Sequence, residues 1–227
     1  MKLRRLFSTP AEKAPALPLW ERYKEIIARH ARGRSFVDIG CLWQVHGAYA
    51  FYAFEHGASR VVGVDVNPAT AEFQATNAAH DDGVRFVQGD LTDPALVERL
   101  GTFDVVFCTG VLYHLPDPLL ALRHLRRLCT GTLVLGTATF PELDVPHGAV
   151  FLPYLDDAAR ARLNYRLPGV KHGLDNDFAP ERSYQNWFWG LTPSAVAAMI
   201  RATGFTVSEI HPYPHSTCFV CAVAPTR

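Results

Sequence analysis

The stretch FVDIGCLWQVHGAYAF, residues 36–51, decides the fold of this chain. Its opening apolar run ends in Asp38-Ile39-Gly40, which is typical of a buried strand that enters a nucleotide-binding loop. Six residues, from Cys41 to His46, then precede the next glycine, Gly47. This spacing leaves three interpretations open: a degraded loop, an altered loop that still binds its ligand, or no such loop.

Outward from this stretch, short apolar runs alternate with helical patterns, and this alternation predicts βαβ units with a parallel sheet. Helix starts are predicted at Asn67-Pro68, Asp117-Pro118 and Thr192-Pro193, because a capping side chain precedes a proline at each of them. The five predicted strands before residue 140 are Ser35–Ile39, Arg60–Val64, Val84–Gln88, Phe103–Cys108 and Thr132–Thr137.

Polar signals follow four of these strands. Asp38 and Asp65 end the first two strands, Asp90 follows the third, and CTGVLYHLPDP (residues 108–118) follows the fourth. Because open α/β sheets bind ligands beyond the carboxyl ends of their strands, we expect these residues to line one crevice. An acid after the second strand, here Asp65, is placed to accept hydrogen bonds from both hydroxyls of a ribose.

These residues make the chain resemble the class I S-adenosylmethionine-dependent methyltransferases from about Phe36 to Thr137, with a looser match over the last helix and strand pair. The resemblance implies an α/β, three-layer Rossmann-like sandwich. Its seven-stranded, mostly parallel sheet has the order 3-2-1-4-5-7-6 with one antiparallel strand, and a lid-like insertion follows strand five. It also implies S-adenosylmethionine as cofactor and S-adenosylhomocysteine as product. The implied cofactor-binding residues are Asp38, Gly40, Cys41, Gly47, Asp65, Val66, Asp90, Leu91, Thr109 and Gly110.

The departure from the family lies in the first loop. Asp38 and Gly47 are nine residues apart, and the glycine-rich loop of the family usually takes about six. Gly47 and Asp65 are 18 residues apart, which is close to the family's spacing, so the extra residues lie in the loop and not in the following helix. We therefore interpret the loop as altered but working, with Gly47 opening the helix. We expect Trp43 or His46 to fill the space that glycines leave open elsewhere.

The expected organisation is a single methyltransferase domain over residues 1–227. Residues 1–34 form an N-terminal helical cover, 35–139 the cofactor-binding core, 140–190 a substrate-shaping insertion, and 191–227 a terminal helix and strand pair. The insertion breaks the regular alternation and contains the aromatic run SYQNWFWG, residues 183–190.

Candidate catalytic residues are His114 and His147, because the pKa of histidine lies near neutrality and suits a general base. Each of these histidines could instead have a purely structural role, and His114 belongs to a segment that the family keeps whatever its reaction. His172 also lies in the insertion and has the same two readings. The candidate substrate-binding residues are the aromatic side chains Tyr113, Tyr184, Trp187 and Trp189, which could instead be core residues beneath a lid.

The composition limits the kinds of partner that we expect the chain to bind. Lys+Arg and Asp+Glu both total 22, so the chain has no net charge to attract nucleic acid or an anionic membrane. No apolar stretch approaches the roughly 20 residues that span a bilayer, and the five cysteines are scattered, so we expect a cytoplasmic protein. Cys218 and Cys221 should point to opposite faces of one strand. No ligand spacing predicts a metal site, although the use of a divalent metal stays open, as does the oligomeric state.

The sequence therefore favours transfer of a methyl group from S-adenosylmethionine to an oxygen or nitrogen atom of a small-molecule acceptor. The first alternative is a tRNA- or RNA-modifying enzyme of the wobble-uridine type, against which the zero net charge argues. A second is a protein that binds the cofactor without turnover. A third, a nicotinamide-dependent oxidoreductase, lacks its GxGxxG signature here.

Overall fold

A computed structural model describes residues 17–162 and 178–225 of the chain. Its strands are β1 Ser35–Ile39, β2 Arg60–Asp65, β3 Val84–Gln88, β4 Phe103–Thr109, β5 Cys129–Ala138, β6 Ala149–Phe151, β7 Trp189–Leu191, β8 Phe205–Tyr213 and β9 Ser216–Val223. Its helices are α1 Leu19–Ala31, α2 Ala48–Glu55, α3 Ala71–Ala79, α4 Pro94–Leu100, α5 Pro118–Leu128, α6 Asp157–Arg162 and α7 Pro193–Ala202.

Seven strands form one sheet in the order β3-β2-β1-β4-β5-β9-β8. All neighbours pair in parallel except β9, which runs antiparallel to both β5 and β8. Because β8 and β9 are the sixth and seventh strands of this sheet along the chain, the predicted order 3-2-1-4-5-7-6 is confirmed. The strand order reverses at β1, which lies between β2 and β4 and so opens a crevice at their carboxyl ends.

Helices cover both faces of the sheet and give three layers. On one face, Leu96 of α4, Leu122 of α5 and Ile200 of α7 belong to one apolar cluster with strand residues. On the other face, side chains of α1, α2 and α3 form a second cluster. The inner strands β1, β2 and β4 are buried on both faces over most of their length and are largely apolar, as in parallel sheets generally, whereas the edge strands β3 and β8 are partly exposed. Cys218 and Cys221 fall in different clusters, which confirms that they point to opposite faces.

Two of the three predicted helix starts are confirmed. The side chains of Asp117 and Thr192 cap α5 and α7, and a proline follows each of them. The start at Asn67-Pro68 is wrong, because α3 begins at Ala71 and is capped by Thr70. Asn67 instead donates two hydrogen bonds, from its backbone and its side-chain amide, to Oδ1 of Asp65. These bonds keep the segment before the helix at the crevice.

The insertion after β5 contains more regular structure than its sequence suggests. Strands β6 and β7 pair as a separate antiparallel ribbon, and Pro180–Gln185 forms a 3₁₀ turn. Phe140, Leu152 and Trp187 pack together beneath it, with Tyr113 against them. The insertion thus lies over the segment that follows β4. Within the two ranges described, no helix is long and apolar enough to cross a membrane.

Candidate active site

The first carboxylate of the crevice belongs to Asp38 on β1, and it is almost completely buried, with 1% of its surface exposed. Its Oδ2 atom is buried without a hydrogen-bond partner. Burial and, after it, the charge of Asp65 raise the pKa of Asp38, and a backbone hydrogen bond from Ala50 lowers it, so that the pKa lies at about 8. A buried acid with one bare oxygen is costly unless a ligand completes it. A cationic or hydrogen-bond-donating ligand, such as an ammonium group, fits this position.

The second carboxylate, Asp65 at the end of β2, is already engaged by the chain. Its Oδ1 accepts both hydrogen bonds of Asn67, and its Oδ2 accepts one from the backbone N–H of Leu42 at 3.0 Å. Because a carboxylate offers about four acceptor positions, one position on Oδ2 is left for a ligand. As folded, Asp65 therefore suits one ribose hydroxyl, and accepting from both would require Leu42 or Asn67 to give up a bond.

The altered loop between β1 and α2 is a closed turn. The N–H groups of Gly40 and Cys41 donate to the carbonyl of Val64 at 2.8 and 3.2 Å, and Gly47 donates to the carbonyl of Cys41 at 2.7 Å. Cys41 and Leu42 are buried, whereas Trp43 is 66% exposed. The expectation that Trp43 fills the loop is therefore wrong, since the residues that occupy the interior are the two that precede it.

His46, the other residue expected to fill the loop, turns toward α3. Its Nδ1 lies 3.1 Å from the hydroxyl of Thr70, the residue that caps α3. The loop is thus tied to α3 on one side and, through Leu42, to Asp65 on the other.

Two glycines of the site hold left-handed conformations where a side chain would collide with neighbours. Gly40 has φ +81°, and a Cβ there would lie 2.4 Å from Cγ2 of Val111. Gly47 has φ +84° and caps α2, and a Cβ there would lie 2.5 Å from the ring of Phe73. Both positions require glycine because of backbone angle and close approach together. Gly40 brings the loop after β1 against the segment after β4, and Gly47 brings it against α3.

The segment after β4 begins at Thr109, the last residue of the strand. Gly110 follows in a left-handed conformation, with φ +73°, and its N–H donates to the carbonyl of Gly136 at 3.0 Å. Thr109 is half-buried and Gly110 is exposed, so this segment forms an accessible wall of the crevice beside Gly40.

The end of the crevice beyond β3 carries Asp90, which is held by two donors. Its Oδ1 accepts from the N–H of Thr92 at 2.8 Å, and its Oδ2 accepts from the hydroxyl of Tyr184 in the insertion. Burial and the neighbouring Asp90 raise the pKa of Tyr184. Tyr184 therefore connects the insertion to Asp90, one of the implied cofactor-binding residues.

Two further implied cofactor-binding residues follow the crevice strands closely in the sequence. The carbonyl of the buried Leu91 accepts from Nδ1 of His124, and the carbonyl of Val66 accepts from the side chain of Gln88.

On the opposite side of the crevice, three rings form a partly buried wall. The ring centroids of Tyr113 and Trp187 are 4.3 Å apart, and those of Tyr113 and His114 are 4.1 Å apart. Nδ1 of His114 lies 2.8 Å from the carbonyl oxygen of Asn186, so this nitrogen carries the proton. Burial lowers the pKa of His114, and the bond to Asn186 raises it less. Burial raises the pKa of Tyr113 to about 12.

The remaining two candidates, His147 and Trp189, donate hydrogen bonds to backbone carbonyls outside this group of rings. His147 donates from Nδ1 to the carbonyl of Ser194 on α7 at 3.0 Å, and the indole N–H of Trp189 donates to the carbonyl of Pro116 at 3.1 Å. The structure thus groups Tyr113, His114 and Trp187, and it does not group His147 with them. The catalytic role of His147 and the substrate role of Trp189 stay predictions.

Asn186, a buried polar residue inside the aromatic run, is not among the predicted site residues. Its position between Gln185 and Trp187 was the available signal, because a polar side chain within a run of aromatic residues has to find partners if it is buried. His172 and residues 1–16 of the expected cover lie outside the described residues. Among those that the structure does describe, no group of three His, Cys, Asp or Glu side chains could hold a metal ion.

The sheet order and the crevice beside β1 define a Rossmann-like domain of the kind that binds nucleotide-containing ligands. Residues 37–132 match a sequence family described as "Methyltransferase domain". Solved structures with this fold include 1,6-didemethyltoxoflavin-N1-methyltransferase from Burkholderia thailandensis, with a TM-score of 0.60, 20% identity, and coverage of 90% of this chain and 77% of the other. A putative S-adenosylmethionine-dependent methyltransferase from Listeria monocytogenes has a TM-score of 0.62 and 15% identity. The match covers 91% of this chain and 98% of the other.

Residues 37–132 therefore form a methyltransferase domain, and the fold around them is the Rossmann-like fold of the class I S-adenosylmethionine-dependent methyltransferases. The curated relatives of the chain include proteins named tRNA U34 carboxymethyltransferase. That of Helicobacter pylori strain Shi470 is 33% identical over 122 residues, which are 52% of this chain and 45% of the relative. That of Campylobacter hominis is 33% identical over 166 residues, which are 69% of this chain and 49% of the relative. The chain thus spans about half the length of the curated relatives it matches.

Proposed function

We propose that this protein transfers the methyl group of S-adenosylmethionine to an oxygen or nitrogen atom of a small-molecule acceptor. The observation that carries the proposal is the buried Asp38 carboxylate, whose Oδ2 has no partner, at the centre of a crevice in a methyltransferase domain. A bound cofactor with an ammonium group would complete this carboxylate. When bound, the cofactor supplies a methyl group on a sulfonium centre, which is already activated for displacement.

The protein's own part in this reaction is binding and orientation. Asp38, Asp65 and Asp90 are the residues that would hold the cofactor, each at the end of a different strand or just beyond it. Displacement needs the acceptor in line with the leaving group, so a fixed acceptor position supplies much of the rate. The wall of Tyr113, His114 and Trp187, whose rings are tilted against one another, offers a partly apolar surface for such an acceptor.

His114 is proposed as the general base when the acceptor keeps its proton. The bond from Nδ1 to Asn186 leaves Nε2 as the acceptor nitrogen, and the lowered pKa keeps the ring neutral near pH 7. Activity should therefore persist into mildly acidic solution and fall only below the ordinary range of histidine. We expect His114→Ala to reduce kcat by about 100-fold while leaving the affinity for S-adenosylhomocysteine unchanged. An unreduced kcat would remove His114 from catalysis.

Purified protein incubated with S-adenosylmethionine and a panel of hydroxylated and amino-substituted aromatic acceptors provides the direct test. The expected result is formation of S-adenosylhomocysteine that depends on one class of acceptor. If the protein binds the cofactor but forms no product with any acceptor, the proposal fails in favour of a cofactor-binding protein without turnover.

A second candidate, modification of a tRNA wobble uridine, is favoured by one observation: the relatives at 33% identity carry that name. The zero net charge argues against it, because RNA binding is dominated by contacts between basic side chains and phosphates. A gel-shift titration with tRNA at low and high salt separates the two candidates. A salt-sensitive shift would support the tRNA substrate, and the absence of any shift at low salt would support the small-molecule acceptor.

A further inference from the structure

The segment between Ala179 and Trp187 is closed into a loop by the side chain of Asn186, which is 5% exposed. The amide nitrogen donates to the carbonyls of Ala179 at 2.7 Å and Ser183 at 3.1 Å, and the amide oxygen accepts from the N–H of Ala179 at 3.1 Å. The backbone N–H of Asn186 also donates to the carbonyl of Ser183 at 3.1 Å. One buried amide therefore fixes both ends of the loop.

The loop contains a strained residue that these bonds hold in place. Ser183 has φ +46°, a left-handed angle that is unfavourable for a non-glycine residue and persists only where the surroundings impose it. The two bonds from Asn186 to its carbonyl supply that constraint. Tyr184 follows directly, and its hydroxyl donates to Asp90. The side chain of Asn186 thus sets where Tyr184 reaches on the cofactor side of the crevice.

The same residue faces the acceptor side through its backbone. The carbonyl oxygen of Asn186 accepts the proton on Nδ1 of His114. The next two residues continue this contact: the ring of Trp187 packs on Tyr113, and the N–H of Phe188 donates to the carbonyl of Tyr113 at 2.9 Å. The closed loop is therefore anchored to the turn that carries His114 and Tyr113.

We infer that Asn186 is a positioning residue that acts on both sides of the crevice: its side chain holds Tyr184 at Asp90, and its carbonyl fixes the tautomer of His114 with Nε2 free to accept a proton. This inference rests on the proposed function, which assigns the base role to His114. If the side chain of Asn186 only stabilised the fold, its removal would leave the backbone carbonyl at His114 and the tautomer unchanged.

The test combines a tautomer measurement with kinetics. Nitrogen-15 NMR of the full chain, with the His114 signal assigned by its loss in His114→Gln, reports which ring nitrogen carries the proton. We expect protonated Nδ1 in the wild-type protein. Asn186→Ala keeps the backbone carbonyl of residue 186, but the loss of the side-chain bonds opens the loop and withdraws this carbonyl from His114, so the tautomer should shift toward protonated Nε2. In the same variant kcat should fall about ten- to hundredfold through misplacement of the base, while KM for S-adenosylmethionine rises. The acid limb of the pH–rate profile should move to higher pH, because opening the loop hydrates His114.

Asn77→Ala is the matched control, since Asn77 also uses its side chain to hold a backbone group, the N–H of Val84, at the far end of α3. It should leave the tautomer, kcat and pH profile unchanged. A wild-type spectrum with protonated Nε2 on His114 would overturn the inference without any substitution, as would an Asn186→Ala protein with the wild-type tautomer and pH profile. Calorimetry of the wild-type protein with S-adenosylhomocysteine is run in parallel. An absence of binding there refutes the proposed function, whereas the tautomer result still decides the role of Asn186.

Discussion

The carboxyl group of Asp38 shows how a functional position is built at the expense of stability. Its pKa of about 8 in the folded chain lies above the ordinary value of 3.8, because burial disfavours the charged form. Between these two values the folded chain binds more protons than the unfolded chain. The free energy of unfolding therefore falls as the pH rises through this window, and the stabilising contribution is complete only below the ordinary value.

We predict that Asp38→Asn removes this pH dependence. Between about pH 5 and pH 7, urea unfolding should show the wild-type protein losing about 2–3 kcal/mol relative to the variant, at roughly 1.4 kcal/mol per pH unit. The variant should also bind S-adenosylhomocysteine less tightly, because the amide cannot neutralise an ammonium group. Asp144→Asn, on an exposed side chain, is the control. Parallel pH profiles for wild type and Asp38→Asn would contradict this account.

For Asp65 the structure adds a second role to the predicted one. We expect Asp65→Ala to weaken cofactor binding by about 1.5–3 kcal/mol, the range for hydrogen bonds to a charged group. Because Asp65 also accepts from Leu42 and Asn67, the substitution should loosen the altered loop as well. Isothermal titration and hydrogen exchange of the Leu42 amide measure the two effects separately. An unchanged affinity would remove Asp65 from the ribose position.

At the scale of elements, the loop between β1 and α2 depends on Gly47. Gly47→Ala should destabilise the protein by about 2 kcal/mol or more, since a left-handed angle and a collision with the ring of Phe73 act together. Gly33→Ala is the matched control, because Gly33 also has a positive φ, +70°, but nothing lies within 4 Å of its added Cβ. The control should cost about 1 kcal/mol. Equal losses in thermal or urea unfolding would show that the contact with Phe73 is not limiting.

The elements themselves follow from the sequence to within a few residues. The first four strands of the sheet are predicted with at most one residue of error, because β-branched runs bounded by polar signals carry the information locally. The strand of residues 132–137 is longer in the structure, Cys129–Ala138. The start of α3 is missed because its position depends on a contact: Asn67 bonds to Asp65 and leaves Thr70 to act as the cap.

The site is less predictable than the sheet for the same reason. The carboxylates follow from their positions after strands. The exposure of Trp43 does not follow from the sequence, because which loop residue turns inward depends on the surroundings of Cys41 and Leu42. The contacts of the insertion with the crevice join residues that are far apart in sequence, Tyr184 with Asp90 and Asn186 with His114. No local pattern encodes such pairs.

At the scale of the whole molecule, the cofactor side and the acceptor side have different origins. The crevice is made by the parallel core, whose strand order reverses at β1. The acceptor wall is made where the insertion packs on the turn after β4, through Trp187 on Tyr113. This division explains why the sequence identifies a methyl donor but no acceptor, since a fold carries no information on the acceptor.

The central claim is that the altered loop Cys41–Gly47 leaves a working cofactor site beside Asp38. Calorimetric titration of the purified protein with S-adenosylhomocysteine, with NAD as the control ligand, tests it most directly. We predict saturable one-site binding of S-adenosylhomocysteine and none of NAD, with proton release near pH 7 as Asp38 becomes charged. No binding of S-adenosylhomocysteine by the folded protein would mean that the loop closes the site, and it would contradict the account.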